Sequence, residues 1–328
     1  MAQKTILSGM RPTGRLHLGN YVGVLANWVK LQNEYRCFFE VADWHVLTTG
    51  YEDTSGIVRD GIDVVIDWLA AGIDPEVSVI FVQSDVKEHA ELHLLLSMMV
   101  SVARLQRNPT IKEQVRDLGL GDQVMYGHLG YPVLQAADIL MYRAHAVPVG
   151  EDQLPHLEIT REIARRFNTL YGEVFNIPEP LLTRFPRLPG LDGKRMSKSM
   201  GNVILLSDSE EDIRKKVMTA ITDPEKIRMG DPGHPEVCNI FAYHSRFNPG
   251  EVDGLEPRCR SGELGCVDCK KLCASVLADH LSPIREKRAE YEADLDQVKA
   301  ILEDGADRAH DEAARTINMV RRAMRLSG

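Results

Sequence analysis

Thr5-Ile6-Leu7-Ser8-Gly9-Met10-Arg11-Pro12-Thr13-Gly14-Arg15-Leu16-His17-Leu18-Gly19-Asn20 passes from a short apolar stretch into a turn punctuated by glycine. Tyr21, Val24, Leu25 and Trp28 then recur at i, i+3, i+4 and i+7, which predicts a helix beginning close to Gly19-Asn20. Strand, turn, helix is the opening unit of a parallel sheet with crossover helices. The pattern repeats outward from it: Cys37–Ala42 and Val77–Val82 read as further strands, and a helix over Thr54–Ala71 stops at Gly72, where glycine accepts the left-handed cap conformation. Ala146–Val149 ends in Gly150, and Glu151–Phe167 reads as another helix with Pro155 tolerable in its first turn. The expected fold class is α/β, a doubly wound parallel sheet.

Around Arg184–Gly201 the texture changes to Pro, Gly, Lys and Ser without apolar period, marking a loop between two bodies. Beyond it the pattern is helical over Ser209–Ile221, Cys266–Leu281, Pro283–Leu302 and Ala306–Arg325. Across 328 residues, 44% hydrophobic and 27% charged residues with 16 Pro exclude disorder and low-complexity classes and allow two modest domains. A formal charge of −9 excludes a uniformly cationic surface for non-specific nucleic-acid binding, so any RNA contact is a local patch and no DNA partner is expected. No cleavable apolar leader and no apolar run of membrane length are visible, so a cytoplasmic protein without membrane contact is expected.

Three segments carry chemistry. In a doubly wound sheet the turn holding Gly14, His17 and Gly19 lies where phosphates bind, because helix-start N–H groups point outward there; a simple strand-to-helix turn with a surface His would read the same. Met196-Ser197-Lys198-Ser199, preceded by Lys194-Arg195, sets cations on a mobile loop that can follow a phosphate through its transfer; by itself it also reads as a solvated basic loop. On a helix, Tyr131, Gln135 and Asp138 share a face within the apolar surroundings of Val133, Leu134 and Ile139, the description of a small-molecule pocket. Asp138, an acceptor only, suits an indole N–H or a phenol O–H.

His17-Leu18-Gly19-Asn20 and Met196-Ser197-Lys198-Ser199 together resemble the two signatures of class I aminoacyl-tRNA synthetases. The wording from Pro12-Thr13-Gly14 to Tyr21, with Ala42-Asp43-Trp44-His45, Ala136-Ala137-Asp138-Ile139-Leu140, Gly150-Glu151-Asp152-Gln153 and Lys194–Ser199, is similar to the bacterial tryptophanyl branch, in order along nearly the whole chain. The resemblance implies a Rossmann-like catalytic domain over 1–185, a signature loop over 186–205, a helical anticodon-binding domain over 206–300, and a C-terminal helix over 301–328 packed back on the catalytic domain. It implies activation of L-tryptophan by ATP with Mg²⁺ and transfer to tRNA(Trp) by a homodimer. His17, Lys194, Arg195 and Lys198 would be catalytic. Arg11, Pro12, Thr13, Gly19, Asn20, Gly150, Glu151, Asp152, Leu188, Arg195, Met196, Ser197, Lys198 and Ser199 would hold ATP, and Tyr131, Gln135, Asp138 and Gln153 the amino acid. Asn20 stands where the general signature has a second histidine, so that position donates hydrogen bonds without titrating. Tyr131, Gln135 and Asp138 together also resemble the pocket helix of the tyrosyl enzymes, which keeps tyrosine as the alternative substrate; a non-charging paralogue is the alternative from another class. Lys112 stands where a lysine could reach the triphosphate.

Five of six cysteines fall within Cys238–Cys273, and Cys259-x6-Cys266-x2-Cys269-x3-Cys273 offers more thiolates than one ion needs. Zn²⁺ and a [4Fe–4S] cluster both fit four thiolates; merely buried thiols are the third reading. Some members of the resembled family carry an iron–sulfur cluster on such a spacing. That implies Cys238, Cys259, Cys266 and Cys269 as ligands, with Cys273 spare. Arg258, Arg260, Lys270 and Lys271 flank the cluster and are the expected anticodon contact; Arg161, Arg165 and Arg166 form a second cationic face. Cys37 is expected in the core.

Overall fold

The computed structural model describes residues 3–117, 119–121, 123–182 and 188–326; Arg184 and the domain boundary expected at 185 lie outside them. Five strands, β1 (Thr5–Met10), β2 (Arg36–Val41), β3 (Ser78–Val82), β4 (Ala146–Val149) and β5 (Glu179–Leu182), form one parallel sheet in the order β3-β2-β1-β4-β5. The chain runs outward from β1 to one side, then returns to build the other. That reversal opens a crevice at the carboxyl ends of β1 and β4, where ligands of such sheets bind. β5 is absent from the sequence reading: it is short, contains Pro180 and sits at the sheet edge, the one place where a missing N–H is tolerated.

Alternation along β2 explains the two-faced core. Cys37, Phe39 and Val41 face one layer, where Trp28 stacks on Phe39 at 4.5 Å and meets Trp68 edge-on; Phe38 faces the other with Phe81 and Tyr142. The first layer is supplied by α1 and α3. Helix α1 is built of Leu18–Asn20, a π-helical turn Tyr21–Leu25 and Ala26–Leu31, and α2 (Asp43–Gly50) precedes α3 (Ile57–Ala71), capped by Gly72 at φ +110°. The second layer is supplied by α4 (Glu88–Ser97), α7 (Tyr126–Met141) and α8 (Leu154–Tyr171), with α5 (Val102–Gln106) and α6 (Pro109–Asp117) between them. Residues 151–153, expected in the helix with α8, form a 3-10 turn before it.

After the interdomain loop come α9 (Glu210–Thr219), capped by the Ser209 side chain, α10 (Asn239–Phe247) and α11 (Pro249–Arg260). The three helices expected from Cys266 to Arg325 are two: α12 (Cys266–Ala293) and α13 (Leu295–Ala323). Pro283 does not break α12, where Arg285 Nη2 donates to the carbonyl of Ala278 at 3.2 Å, one of the acceptors near the turn the proline interrupts. The break falls at Asp294, whose carboxylate caps Gln297 N at 3.1 Å.

Gly305 lies inside α13 rather than between helices because a side chain there is impossible: a Cβ would fall inside the Ile80 carbonyl of β3. Only glycine lets this helix touch the sheet edge. Gly305→Ala is expected to destabilise the protein by about 3 kcal/mol or more, read as a lowered midpoint in urea, because backbone rather than a flexible side chain must yield.

One buried ion network ties the helical body to the first loop. Arg288 of α12, 2% exposed, donates to Asp67 of α3 at 2.6 Å and pairs with Asp63; Asp67 Oδ2 accepts the Leu16 N–H at 2.6 Å, one residue before His17. Among the described residues no helix is long and apolar enough to cross a membrane.

Candidate active site

The two loops singled out in the sequence interlock at the sheet's reversal point. Leu18 N donates to Ile204 O and Leu206 N to Leu16 O, both at 2.9 Å, so a short antiparallel bridge clamps the first turn to the segment after Ser199. A Cβ on Gly19 would stand 3.0 Å from Met196 Sδ and from the His17 ring, so this glycine is what allows the close approach. Lys198 Nζ donates to the carbonyls of Thr13 and Arg15, the latter at 3.0 Å. Arg195 and Lys198 are near enough to His17 to act on its charge and are exposed, as are Lys194, Arg11 and Thr13, while Pro12 and Met196 are buried. Ser197 N is held by Asn202 Oδ1 at 2.8 Å and its hydroxyl meets Ser199 at 2.9 Å.

His17 and Asn20 cap the helix reciprocally: His17 Nδ1 accepts from Asn20 N at 3.3 Å and Asn20 Oδ1 accepts from His17 N at 3.1 Å. Because Nδ1 is an acceptor, Nε2 carries the proton and is the donor left for a ligand. Burial, then the nearby Lys198 and Arg195, lower the His17 pKa to about 4, so the ring is neutral at physiological pH.

On α7 the expected face divides. Asp138 is fully buried, and both its oxygens are engaged: Oδ2 by His45 Nε2 at 2.8 Å, Oδ1 by His89 Nδ1 at 2.6 Å and Gln83 Nε2 at 2.8 Å. Burial alone opposes ionisation, but the hydrogen bonds and charges of His45 and His89 outweigh it and hold this carboxyl well below the usual range. Tyr131 instead bonds His156, and lines a cavity of about 210 Å³ with Trp44, His93, Tyr126 and Leu134. His45 bridges the two, its ring edge-on to Tyr131 with centroids 6.2 Å apart. Gln135 is half-buried and does not line that cavity, contrary to a single convergent face, because the helix turns it toward neither partner set. At the end of β4, a Cβ on Gly150 would stand 2.8 Å from Asp152 Oδ1 and push that carboxylate aside; Glu151 and Asp152 are exposed, and Gln153 Nε2 bonds Asp152 Oδ2 at 3.3 Å.

The family model described as tRNA synthetases class I (W and Y) matches residues 2–282. The chain belongs to this family. It is 53% identical over 324 residues to the tryptophan–tRNA ligase of Thermotoga maritima, covering 98% of this chain and 99% of that one. It is 43% identical to that of Aquifex aeolicus, with 98% and 99% covered. A solved tryptophanyl-tRNA synthetase from Campylobacter jejuni, complexed with ADP and tryptophan, superposes with a TM-score of 0.88 at 33% identity, over 98% of this chain and 99% of that one.

In this synthetase the cysteine group gathers at the start of α12. The thiols of Cys238, Cys259, Cys266 and Cys269 are mutual electrostatic neighbours; burial first, and then the other three sulfurs, push Cys269 up to about 12. Cys273 is buried deeper and neighbours only Cys269 and Cys238. The cations expected beside them each have a protein partner, some near in sequence and some folded back from elsewhere in the chain. Arg258 pairs with Glu263, Arg260 with Glu236 and Glu256, Lys271 with Asp268, and Lys270 reaches the Met218 carbonyl at 3.0 Å. Arg161 and Arg165 likewise pair with Glu158; Arg166 and Lys112 are exposed. Leu188 lines a cavity of about 600 Å³ with Val22, Cys238 and Phe241, between α1 and the helical body.

Sequence reasoning missed Gln83, His89 and Glu40, which with His45 surround Asp138. The only signal was Glu40, a lone charge in the apolar run Cys37–Ala42.

Proposed function

We propose that this synthetase activates L-tryptophan with ATP and transfers it to tRNA(Trp). The observation carrying the reading is the interlock of the His17 and Lys198 loops at the sheet's reversal point, which sets the exposed cations Arg195 and Lys198 beside His17. Tryptophan rather than tyrosine is supported by relatives that are tryptophan–tRNA ligases at 41–53% identity. The carboxylate of tryptophan attacks the α-phosphate in line, giving tryptophanyl-adenylate and pyrophosphate; the 3′-terminal hydroxyl of the tRNA then takes the aminoacyl group and releases AMP. No residue becomes covalently attached, so the protein supplies alignment and charge. His17 Nε2–H donates to the α-phosphate, Asn20 donates through its amide, and Lys194, Arg195 and Lys198 follow the pyrophosphate, with Arg11, Pro12, Thr13, Gly19, Met196, Ser197 and Ser199 walling the nucleotide. Gly150, Glu151 and Asp152 face the ribose, and Asp138 receives the indole N–H, with Tyr131 and Gln153 beside the amino acid.

A carboxylate offers about four acceptor positions; His45, His89 and Gln83 take three on Asp138, and the group is fully buried, with no face open to the cavity. The indole N–H therefore replaces one partner, and His45, whose side chain is 12% exposed while that of His89 is 0%, is the one within reach of the cavity. The acids beside the two loops, Asp60, Asp63 and Asp67, do not converge within 4.8 Å of one another, and Asp63 and Asp67 are paired with Arg288, so Mg²⁺ would ride on the phosphate oxygens and water, where it neutralises charge.

The four neighbouring thiols of Cys238, Cys259, Cys266 and Cys269 match in number the ligand set of a [4Fe–4S] cluster, with Zn²⁺ as the alternative. Cys238, Cys259, Cys266 and Cys269 would hold it, and it would staple α10, α11 and α12 into the rigid body proposed to read the anticodon. A homodimer is supported by Leu94 and Met98, four apart and 56% and 72% exposed, with Tyr126 at 74%.

Pyrophosphate exchange tests the reading: tryptophan-dependent exchange is expected, tyrosine-dependent exchange would move the substrate, and no exchange with either would leave a non-charging paralogue. Iron and sulfide analysis of anaerobically purified protein should give about four of each per chain. Since His17 titrates near 4, the adenylation rate should show no histidine inflection from this group between pH 5 and 8, so wild type and His17→Asn should share the shape of their pH profiles although the variant is slower.

A further inference from the structure

Glu40 of β2 has no part in the reaction above, yet its carboxyl faces the apolar layer of Phe38 and Phe81, 4% exposed. Room for it comes from Gly9, its register partner on β1, where a Cβ would stand 2.5 Å from Glu40 Cγ. A carboxylate oxygen of Glu40 lies within 4.8 Å of both an Asp138 oxygen and a His89 nitrogen, and Oε2 has no hydrogen-bond partner. His89 cannot serve a cation there, since Nδ1 is spent on Asp138 and Nε2 on the Tyr142 hydroxyl at 2.7 Å. Burial, then the negative charges of Asp138 and Asp43, hold the Glu40 carboxyl well above the usual range. Two adjoining carboxyls in one dry layer therefore share a proton, and Glu40 carries it.

We propose that Glu40 is a positioning residue for amino-acid recognition: its carboxyl O–H donates to Asp138 and so fixes the orientation and the single negative charge of the carboxylate that receives the substrate's ring N–H. This rests on Asp138 as the tryptophan anchor. The groups facing the pair are Tyr142 just after α7, Glu88, His89 and His93 on α4, Asp43 and His45 on α2, and Gln83 after β3.

The test is the KM for tryptophan and for ATP in pyrophosphate exchange by the full-length enzyme, from pH 6 to 10, for wild type, Glu40→Gln, Glu40→Leu and Asp138→Asn. Glu40→Leu should raise the tryptophan KM about tenfold with kcat and the ATP KM within about twofold, as for loss of a hydrogen bond to a buried charge. Glu40→Gln, which donates without titrating, should restore the tryptophan KM at pH 7. It should also flatten the alkaline rise that wild type shows when Glu40 ionises and sets a second charge beside Asp138. An unchanged KM in Glu40→Leu, the wild-type alkaline rise in Glu40→Gln, or a divalent ion bound by wild type and lost in Glu40→Gln overturns the proposal; should Glu40→Leu not fold, the Glu40→Gln profile decides. An unchanged KM in Asp138→Asn instead removes the anchor itself, whereas a large loss there with Glu40→Leu unaffected sinks only the role of Glu40.

Discussion

Replacing Lys198 by alanine should lower the rate of tryptophanyl-adenylate formation by roughly a hundredfold or more, while the tryptophan dissociation constant stays within about twofold. The asymmetry follows from where this ammonium sits. Lys198 Nζ rests on the Thr13 and Arg15 carbonyls at the lip of the crevice, far in sequence and role from the Asp138 pocket. The bond it loses to those carbonyls is not what docks the loop. That is done by the backbone pairs Leu18–Ile204 and Leu206–Leu16, which the substitution leaves intact. The missing item is a charge that follows phosphate into the transition state, so kcat falls and ground-state amino-acid binding does not. Presteady-state fluorescence of adenylate formation reads both quantities. A variant with full rate, or one with tryptophan affinity lost in parallel, would show that Lys198 is structural.

Arg288→Ala should cost about 3–5 kcal/mol in urea unfolding, the size expected when one partner of a buried ion network is removed and the other is left uncompensated. Asp67 is 0% exposed, and burial raises its pKa to about 6 against the opposing pull of Arg288 and the Leu16 amide. A carboxyl raised in this way binds more protons folded than unfolded between its unfolded value and 6. Its protonation therefore favours the folded state as pH falls through that window, and the burden of a charged Asp67 is felt in full only above it. Without Arg288 that burden grows, so the deficit of the variant should be larger at pH 8 than at pH 5. Adding Asp67→Asn should recover part of it, since a neutral amide needs no counter-charge. A second effect separates this network from ordinary core packing. Asp67 also holds the Leu16 N–H beside His17, so Arg288→Ala should slow adenylation as well, although Arg288 lies in the helical body.

Local chemistry made the sheet readable from one strand outward. β1 and the helix after it announce themselves by an apolar run, paired glycines and 3.6-residue spacing, and Gly72 and Ser209 cap their helices as their residue types predict. The cysteine group and both signature loops were legible for the same reason: spacing along the chain carries their meaning. The misreadings have a different origin. Pro283 and Gly305 read as breaks because their intrinsic helix propensities are poor, but the helices continue through both: within α12 Arg285 serves the Ala278 carbonyl near the proline, and the β3 backbone lies against the glycine. The cations beside the cysteines looked available because sequence spacing does not reveal that Glu236 or Met218 folds back onto them.

Sequence alone determined the class of fold, the family resemblance and the identity of the two loops, because each depends on residues that are neighbours in the chain or repeat with a helix or strand period. Tertiary structure alone decided that Asp138 is enclosed by Glu40, Gln83, His89 and His45, and that Arg288 reaches Asp67 across 221 positions. Those groups meet only when strands β2 and β3 and helices far apart in sequence pack together. The protonation of Glu40 and Asp138 follows from that packing, since burial and neighbouring charge are properties of the assembled interior and not of any segment of chain.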